Sequence, residues 1–316
     1  MRNFASLTRM RIQLALRNKM FFFFSVVFPL LMFFVFSFIF AKSYPHRVRF
    51  YLGPVIALNV MGSFWGLSAM LVMFREQGIL RRFHVTPVTA TDMLASSIFA
   101  NYVLTLPTVF LELLFARMIF HVNTFGDPLA LFVLVTVGTI SFASLGLVVA
   151  SITNTMQETQ VLNQLLWLPL IFLSGATLPM GYLPKSAQNF SVFLPATYLV
   201  SGLQNSVFSS FSLRRIVVQL IALAIWALLS FFVATQLFRW EPEVKVARRA
   251  KLWAAATVIP FIFFGIWESQ NREMIDQAQA AFRSAEESAE PKTPPKTIAP
   301  PMQTVPNPKE HSQPQP

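Results

Sequence analysis

Six apolar runs, separated by short polar breaks, follow one another along this chain. They cover roughly Met20–Ala41, Phe50–Phe74, Met93–Phe120, Pro128–Ala150, Thr159–Leu178 and Ile216–Phe238. A membrane-crossing helix needs ~20 mostly apolar residues, and five of the six runs carry no charged side chain. The third contains Glu112 and Arg117. Ionisable groups inside a span are costly and usually face a bundle interior or cavity. Glu112 therefore reads either as a polar site on a substrate path or as half of a buried pair with Arg117. Pro107 in the same run suggests a kink. A seventh run, Leu252–Trp267, reaches about 24 Å as a helix, against ~30 Å of hydrocarbon. Lys251, Trp253 and Trp267 could extend it by snorkelling, so a span and an interfacial helix both fit.

The pattern predicts an all-α integral membrane protein: a six-helix transmembrane bundle, with Leu252–Trp267 as a candidate seventh, C-terminal span. Residues 1–19 form a basic arm and 20–240 the membrane domain. Residues 241–267 are a basic linker plus the seventh run, and 268–316 a polar tail. In the arm, Leu7, Met10 and Leu14 share one helical face with arginines beside it. An amphipathic helix on the inner leaflet and a plain basic anchor both fit. The tail is helix-prone to about Glu290 and then rich in Pro and Gln, a composition that stays extended or disordered.

Composition strengthens the membrane assignment. Hydrophobic residues make up 54% and charged residues only 12% of 316, where soluble domains carry about 25% charged. The formal net charge is +11, but the positives sit beside apolar runs, as membrane anchors do. Nucleic acid is therefore not the expected partner. There is no Cys, which excludes disulfides and thiolate chemistry.

The Lys and Arg distribution sets the expected orientation. Thirteen lie on the side of the arm, the loop after the second run and the segment after the sixth, against four to six on the other. The positive-inside rule then puts the N-terminus in the cytoplasm. Were the seventh run to span, the tail would lie outside.

Two segments stand out. "REQGILRRFHVTP", Arg75–Pro87, is compact, basic and punctuated by Gly78 and Pro87. Glu76 to Val85 can form a short helix, stopped by Pro87 because the residue before Pro disfavours the α region. Arg75, Arg81 and Arg82 are expected to project toward headgroups or a partner. Thr89 and Asp92 have capping-box spacing for the next helix. The second segment is "FLSGATLPMGYLP", Phe172–Pro184, after Pro169. Pro184 and Pro195 suit first helical turns, and 184–193 and 197–208 are expected as two short, partly re-entrant helices. Irregular backbone at membrane depth must be covered by protein or water, so an exit region and a simple outer cap both fit. Gly62-x-x-x-Gly66, and Gly146 with Ala150, permit close helix approach within one subunit.

The order Glu76-x-Gly78-x-Leu80-Arg81-Arg82, followed by Thr86-Pro87-Val88, resembles the signature of the ABC type-2 exporter permease family. Ile79 stands where that pattern usually has Thr, and Phe83 where Leu is common. Ser174-Gly175 with Pro179 and Pro184, then Leu194, Pro195, Thr197 and Tyr198, is similar to the end of that family's fifth span and its following element. The likeness covers about residues 1–240. It implies a six-span bundle of the type-2 ABC exporter kind, and a permease rather than an enzyme, in the bacterial inner membrane. It implies two permease subunits, identical or not, and two separate ATPases that hold the ATP and Mg. The helix around Arg75, Glu76, Gly78, Leu80, Arg81, Arg82, Thr86 and Pro87 would dock on an ATPase. No cofactor, metal or catalytic residue is expected in this chain, which lacks G-x-x-x-x-G-K-[ST]. The many Phe residues favour a hydrophobic or amphipathic cargo. An ion-coupled carrier using Glu112 is the alternative, and a membrane-embedded lipid-modifying enzyme a further one.

Overall fold

The computed structural model describes residues 2–17, 19–41, 44–84, 88–240, 252–253 and 255–287. Among them there is no strand. The expected Thr86 and Pro87, the basic residues 241–251 and the Pro-rich residues 288–316 lie outside the described residues. Helix α1 (Arg2–Arg17) leads into the first apolar run, which is helical but irregular: α2 (Lys19–Phe22), a wide π turn (Phe23–Val27), α3 (Phe28–Val35) and a second π turn (Phe36–Phe40). Pro29 explains the first irregularity. It has no N–H to donate to the carbonyl of Ser25, and the Thr108 hydroxyl donates to that carbonyl instead at 3.0 Å. An orphaned carbonyl at membrane depth is thereby satisfied.

Then follow α4 (Pro45–Met61) and α5 (Ser63–Glu76), in effect one rod turned at Gly62, and the short α6 (Ile79–His84). Next come α7 (Ala90–Met118), α8 (Pro128–Ile152) and α9 (Met156–Leu173). Two short helices, α10 (Lys185–Ser191) and α11 (Pro195–Val207), precede α12 (Val217–Leu237). The last helices among the described residues are α13 (Ile259–Asn271) and α14 (Glu273–Glu287). Four helical stretches among the described residues are long and apolar enough to cross a membrane: Pro45–Glu76, Ala90–Met118, Pro128–Ile152 and Val217–Leu237.

Local sequence explains the helix starts. The Asp127 carboxylate accepts from Leu129 N and Ala130 N, with Pro128 at the first helical position. Thr155 accepts from Glu158 N to start α9. Thr89 and Asp92 form the reciprocal capping box of α7. Pro107 lies inside an unbroken helix of 29 residues.

Helix α8 is the centre, packed against α12, α5, α4, α7 and α11. Helices in lipid associate through close van der Waals contact rather than water exclusion, and α8 supplies the small residues for it. At Gly146 a side chain would run into the backbone of Phe64 on α5. The close approach therefore falls at Gly146; at Gly62, the other expected contact, the nearest atoms belong to its own helix.

The bundle has two ends. Helices α1 and α6 lie at one, the arm end, with the end of α5 and the turn between α8 and α9. The start of α4 and the α10–α11 hairpin lie at the other, the cap end. Helix α11 is sunk into the bundle: twelve of its thirteen residues are buried, and Leu199 reaches Gly138 in the middle of α8. Its irregular approach is satisfied internally, because Gln188 donates to the carbonyls of Met180 and Leu183, and Thr197 to that of Ser191.

The arm helix departs from expectation. Leu7 and Ala15 are buried, but Leu14 is 45% exposed and Arg11 only 1%. Arg11 donates to the Met93 sulfur at 3.3 Å and lies over the Phe74 ring. Burial lowers its guanidinium to about 10, so it remains a cation at neutral pH. The helix packs on α7 and seats an arginine in the bundle, because the face that meets α7 runs through Leu7, Arg11 and Ala15.

Candidate functional site

The arm end gathers the basic segment. Helix α5 ends at Glu76, and Gly78 turns the chain with φ +69, a conformation open to glycine at no steric cost. The expected helix from Glu76 is therefore interrupted, and α6 begins at Ile79. Leu80 is fully buried in a cluster with Leu7, Phe74, Met93, Leu94 and Val233. Ile79 and Phe83 pack beside it. Arg81 and Arg82 point away and are exposed. The result is a short helix pinned flat on the bundle by its apolar side, with two adjacent cations outward.

Arg75 does not project as the sequence suggests. It is 2% exposed and donates to the carbonyl of Ala150 at 2.9 Å and of Thr153 at 2.6 Å. These carbonyls lie at the C-terminal end of α8, where backbone acceptors lack helical partners and the helix dipole favours a cation. The neighbouring Glu76 carboxylate accepts from Met156 N at 2.8 Å, at the start of α9. Arginine and glutamate side by side thus grip the two poles of one turn. Arg239, just past α12, closes the knot by donating to the carbonyls of Ser151 and Thr153 and to the Asn154 side chain. Its guanidinium is lowered by burial and supported by Glu158. The root of α6 is therefore tied to α8, α9 and α12 together.

In the sequence Arg239 is one of the basic residues after the sixth run, and its spacing alone gives it no partner. Thr155-x-x-Glu158 is a helix-start spacing that marks the turn, but nothing local says what grips it.

Glu112 and Arg117 are not brought together. Glu112 is fully buried between α7 and α4; its Oε1 accepts from Asn59 at 3.4 Å, and its Oε2 has no hydrogen-bond partner among the described residues. Arg117 is exposed, because five residues along a helix turn it onto a different face.

The expected cap residues fall in the α10–α11 hairpin and the approach to it, Pro195 and Tyr198 lying deeper in the bundle than the rest. Ser174 ends α9 and accepts from Ala176 N, and Gly175 turns in the left-handed region. Pro179 precedes the tight turn Met180–Tyr182, Pro184 starts α10, and Pro195 is the first residue of α11. Tyr198 is buried, its ring against Phe261 and Phe264 of α13.

The site is thus a helical bundle with a cationic helix rooted in its core at one end and a buried helical hairpin reaching in from the other. Comparison with known sequences gives the family. The chain belongs to the ABC-2 type transporter family, which matches residues 2–208. It is 25% identical over 146 residues, 46% of its length, to the linearmycin resistance permease protein LnrN of Bacillus subtilis, covering 38% of that protein. It is 29% identical over 153 residues, 48% of its length, to the probable multidrug ABC transporter permease YbhS of Escherichia coli K12, covering 40% of it. Nodulation protein J of Bradyrhizobium diazoefficiens is 34% identical over 98 residues, 31% of this chain and 37% of that protein. The chain thus spans about two fifths of the length of these curated relatives.

Proposed function

We propose that this chain is the membrane-spanning permease subunit of an ATP-binding-cassette exporter, driven by a separate ATPase that holds ATP and Mg. The observation that carries the reading is α6: exposed Arg81 and Arg82 on a helix whose root grips the α8–α9 turn through Arg75 and Glu76. An ATPase groove that moved α6 would move four helices as one body, since packed elements shift rigidly. The excess of Lys and Arg at this end supports a cytoplasmic arm end in the bacterial inner membrane, with the cap end outside. A second permease subunit, identical or related, would complete the path. A hydrophobic or amphipathic cargo fits the apolar interior and the words "multidrug" and "linearmycin resistance" in the relatives' names.

The test is co-purification with an ABC ATPase carrying a Walker A motif and co-expressed with this chain, comparing the wild type with Arg81→Glu/Arg82→Glu. Both side chains are exposed, so the variant should fold normally and lose at least tenfold of the recovered ATPase. Undiminished recovery would reject docking on α6.

A further inference from the structure

Helices α13 and α14 follow the family-matched residues and close over the cap end. Helix α14 carries Met274, Ile275, Ala278, Ala281 and Ala285 on its buried face, while Glu273, Asp276, Arg283, Glu286 and Glu287 are exposed. Its seat is made of every piece of the cap. Phe282 packs edge-on against Tyr182 at 4.7 Å and beside Phe50 at the start of α4. Gly181 makes room for that ring, since a Cβ there would lie 2.6 Å from Phe282 Cδ1.

Polar ties repeat the pattern. Asn205 of α11 donates to Gln277 at 2.9 Å, Gln279 donates to Gln188 of α10 at 3.0 Å, Tyr182 donates to Glu286 at 3.2 Å, and Ser201 donates to the Met274 sulfur at 3.3 Å. The helix therefore bridges α4, α10, α11 and the turn before α10, which would have to separate for anything to pass between them.

The bridge is built to let go. Three of its five buried residues are alanines, which bury little apolar area, and its polar ties are single side-chain hydrogen bonds, each of modest net worth. It hangs from a corner at Arg272, a non-glycine residue at φ +55, where the Glu268 carboxylate accepts from Met274 N. This left-handed residue ends α13 and turns the chain sharply into α14.

We propose that α14 is a releasable clasp on the outer mouth: seated, it holds the α10–α11 hairpin shut, and it lifts about Arg272 when the ATPases close. The proposal rests on the export reading above. The chain has no Cys, so an introduced thiol is unique. Ala281→Cys, on the buried face of the clasp at 6% exposed, would be reacted with a membrane-impermeant maleimide in the full chain bound to its ATPase in nanodiscs. Glu287→Cys serves as the exposed control and Ala278→Cys as a second buried probe. At rest the buried thiols should react at least tenfold more slowly than the control, and trapping with ATP and vanadate should remove most of that protection. Gly181→Ala, which pushes on Phe282, should raise the resting rate of Ala281→Cys. ATP hydrolysis with unchanged protection of both buried thiols would overturn the clasp and leave the export reading intact. Failure of any ATPase to bind would overturn the export reading and the clasp with it. Fast reaction of both buried thiols at rest would mean that the cap is never closed by α14.

Discussion

Arg75→Met tests the arm-end knot most directly. Methionine keeps the length of the side chain and removes its charge and donors. Two charge-assisted hydrogen bonds are lost, to Ala150 and Thr153, each worth about 1.5–3 kcal/mol. Two effects reduce the total. Arg239 still donates to Thr153 at 2.7 Å, so only the Ala150 carbonyl is orphaned. Methionine also relieves the desolvation cost of a buried cation. The net loss is roughly 2–3 kcal/mol. At about 2–4 °C per kcal/mol for a domain of this size, thermal unfolding of the purified protein in detergent should fall by roughly 4–12 °C. Arg75→Lys should fall in between, because one ammonium cannot span two carbonyls as a planar guanidinium does. A double-mutant cycle with Arg239→Met sharpens the case. With both arginines gone, Thr153 loses both donors, and the combined loss should exceed the sum of the single losses by about 1 kcal/mol. Arg75→Met unfolding within about 2 °C of wild type, with an additive cycle, would refute the idea that this turn is gripped.

Two further outcomes follow from the packing. Gly146→Ala places a methyl group against the Phe64 backbone and should cost about 1–3 kcal/mol by overpacking; Gly138→Ala meets only the flexible end of Leu199 and should cost less, and the two unfolding temperatures in detergent test that order. Glu112→Gln retains an acceptor for Asn59 and removes an ionisable group from the bundle, so the unfolding temperature should hold or rise; a marked fall would mean that the carboxylate itself is needed there.

Some of this architecture was legible before any coordinates. Runs of apolar residues near bilayer length, and the near absence of charge within them, specify an all-α membrane protein because lipid offers backbone groups no partners but their own helix. The capping box at Thr89 and Asp92 was legible too, since it joins residues three apart. The segment 75–87 announced itself by its breakers and charges, and the family signature gave those residues an expected role.

What the tertiary structure decided lies in contacts between distant residues. Arg75 and Thr153 are 78 positions apart, and nothing within a few residues of Arg75 distinguishes a cation aimed at headgroups from one buried on a helix end. The same holds for Arg11, which the pattern counted as an anchor and the packing of α1 on α7 buried. Glu112 and Arg117, two ionisable residues in one apolar run, read as one possible pair, yet helical rotation parts them, and Asn59 from another helix donates to the carboxylate. That the tail is helix-prone to about Glu290 was visible in the sequence, but its apolar face and its seat on Tyr182, Gly181 and Asn205 were not. Period and composition report what each segment buries; which surface receives it is set only when the helices pack.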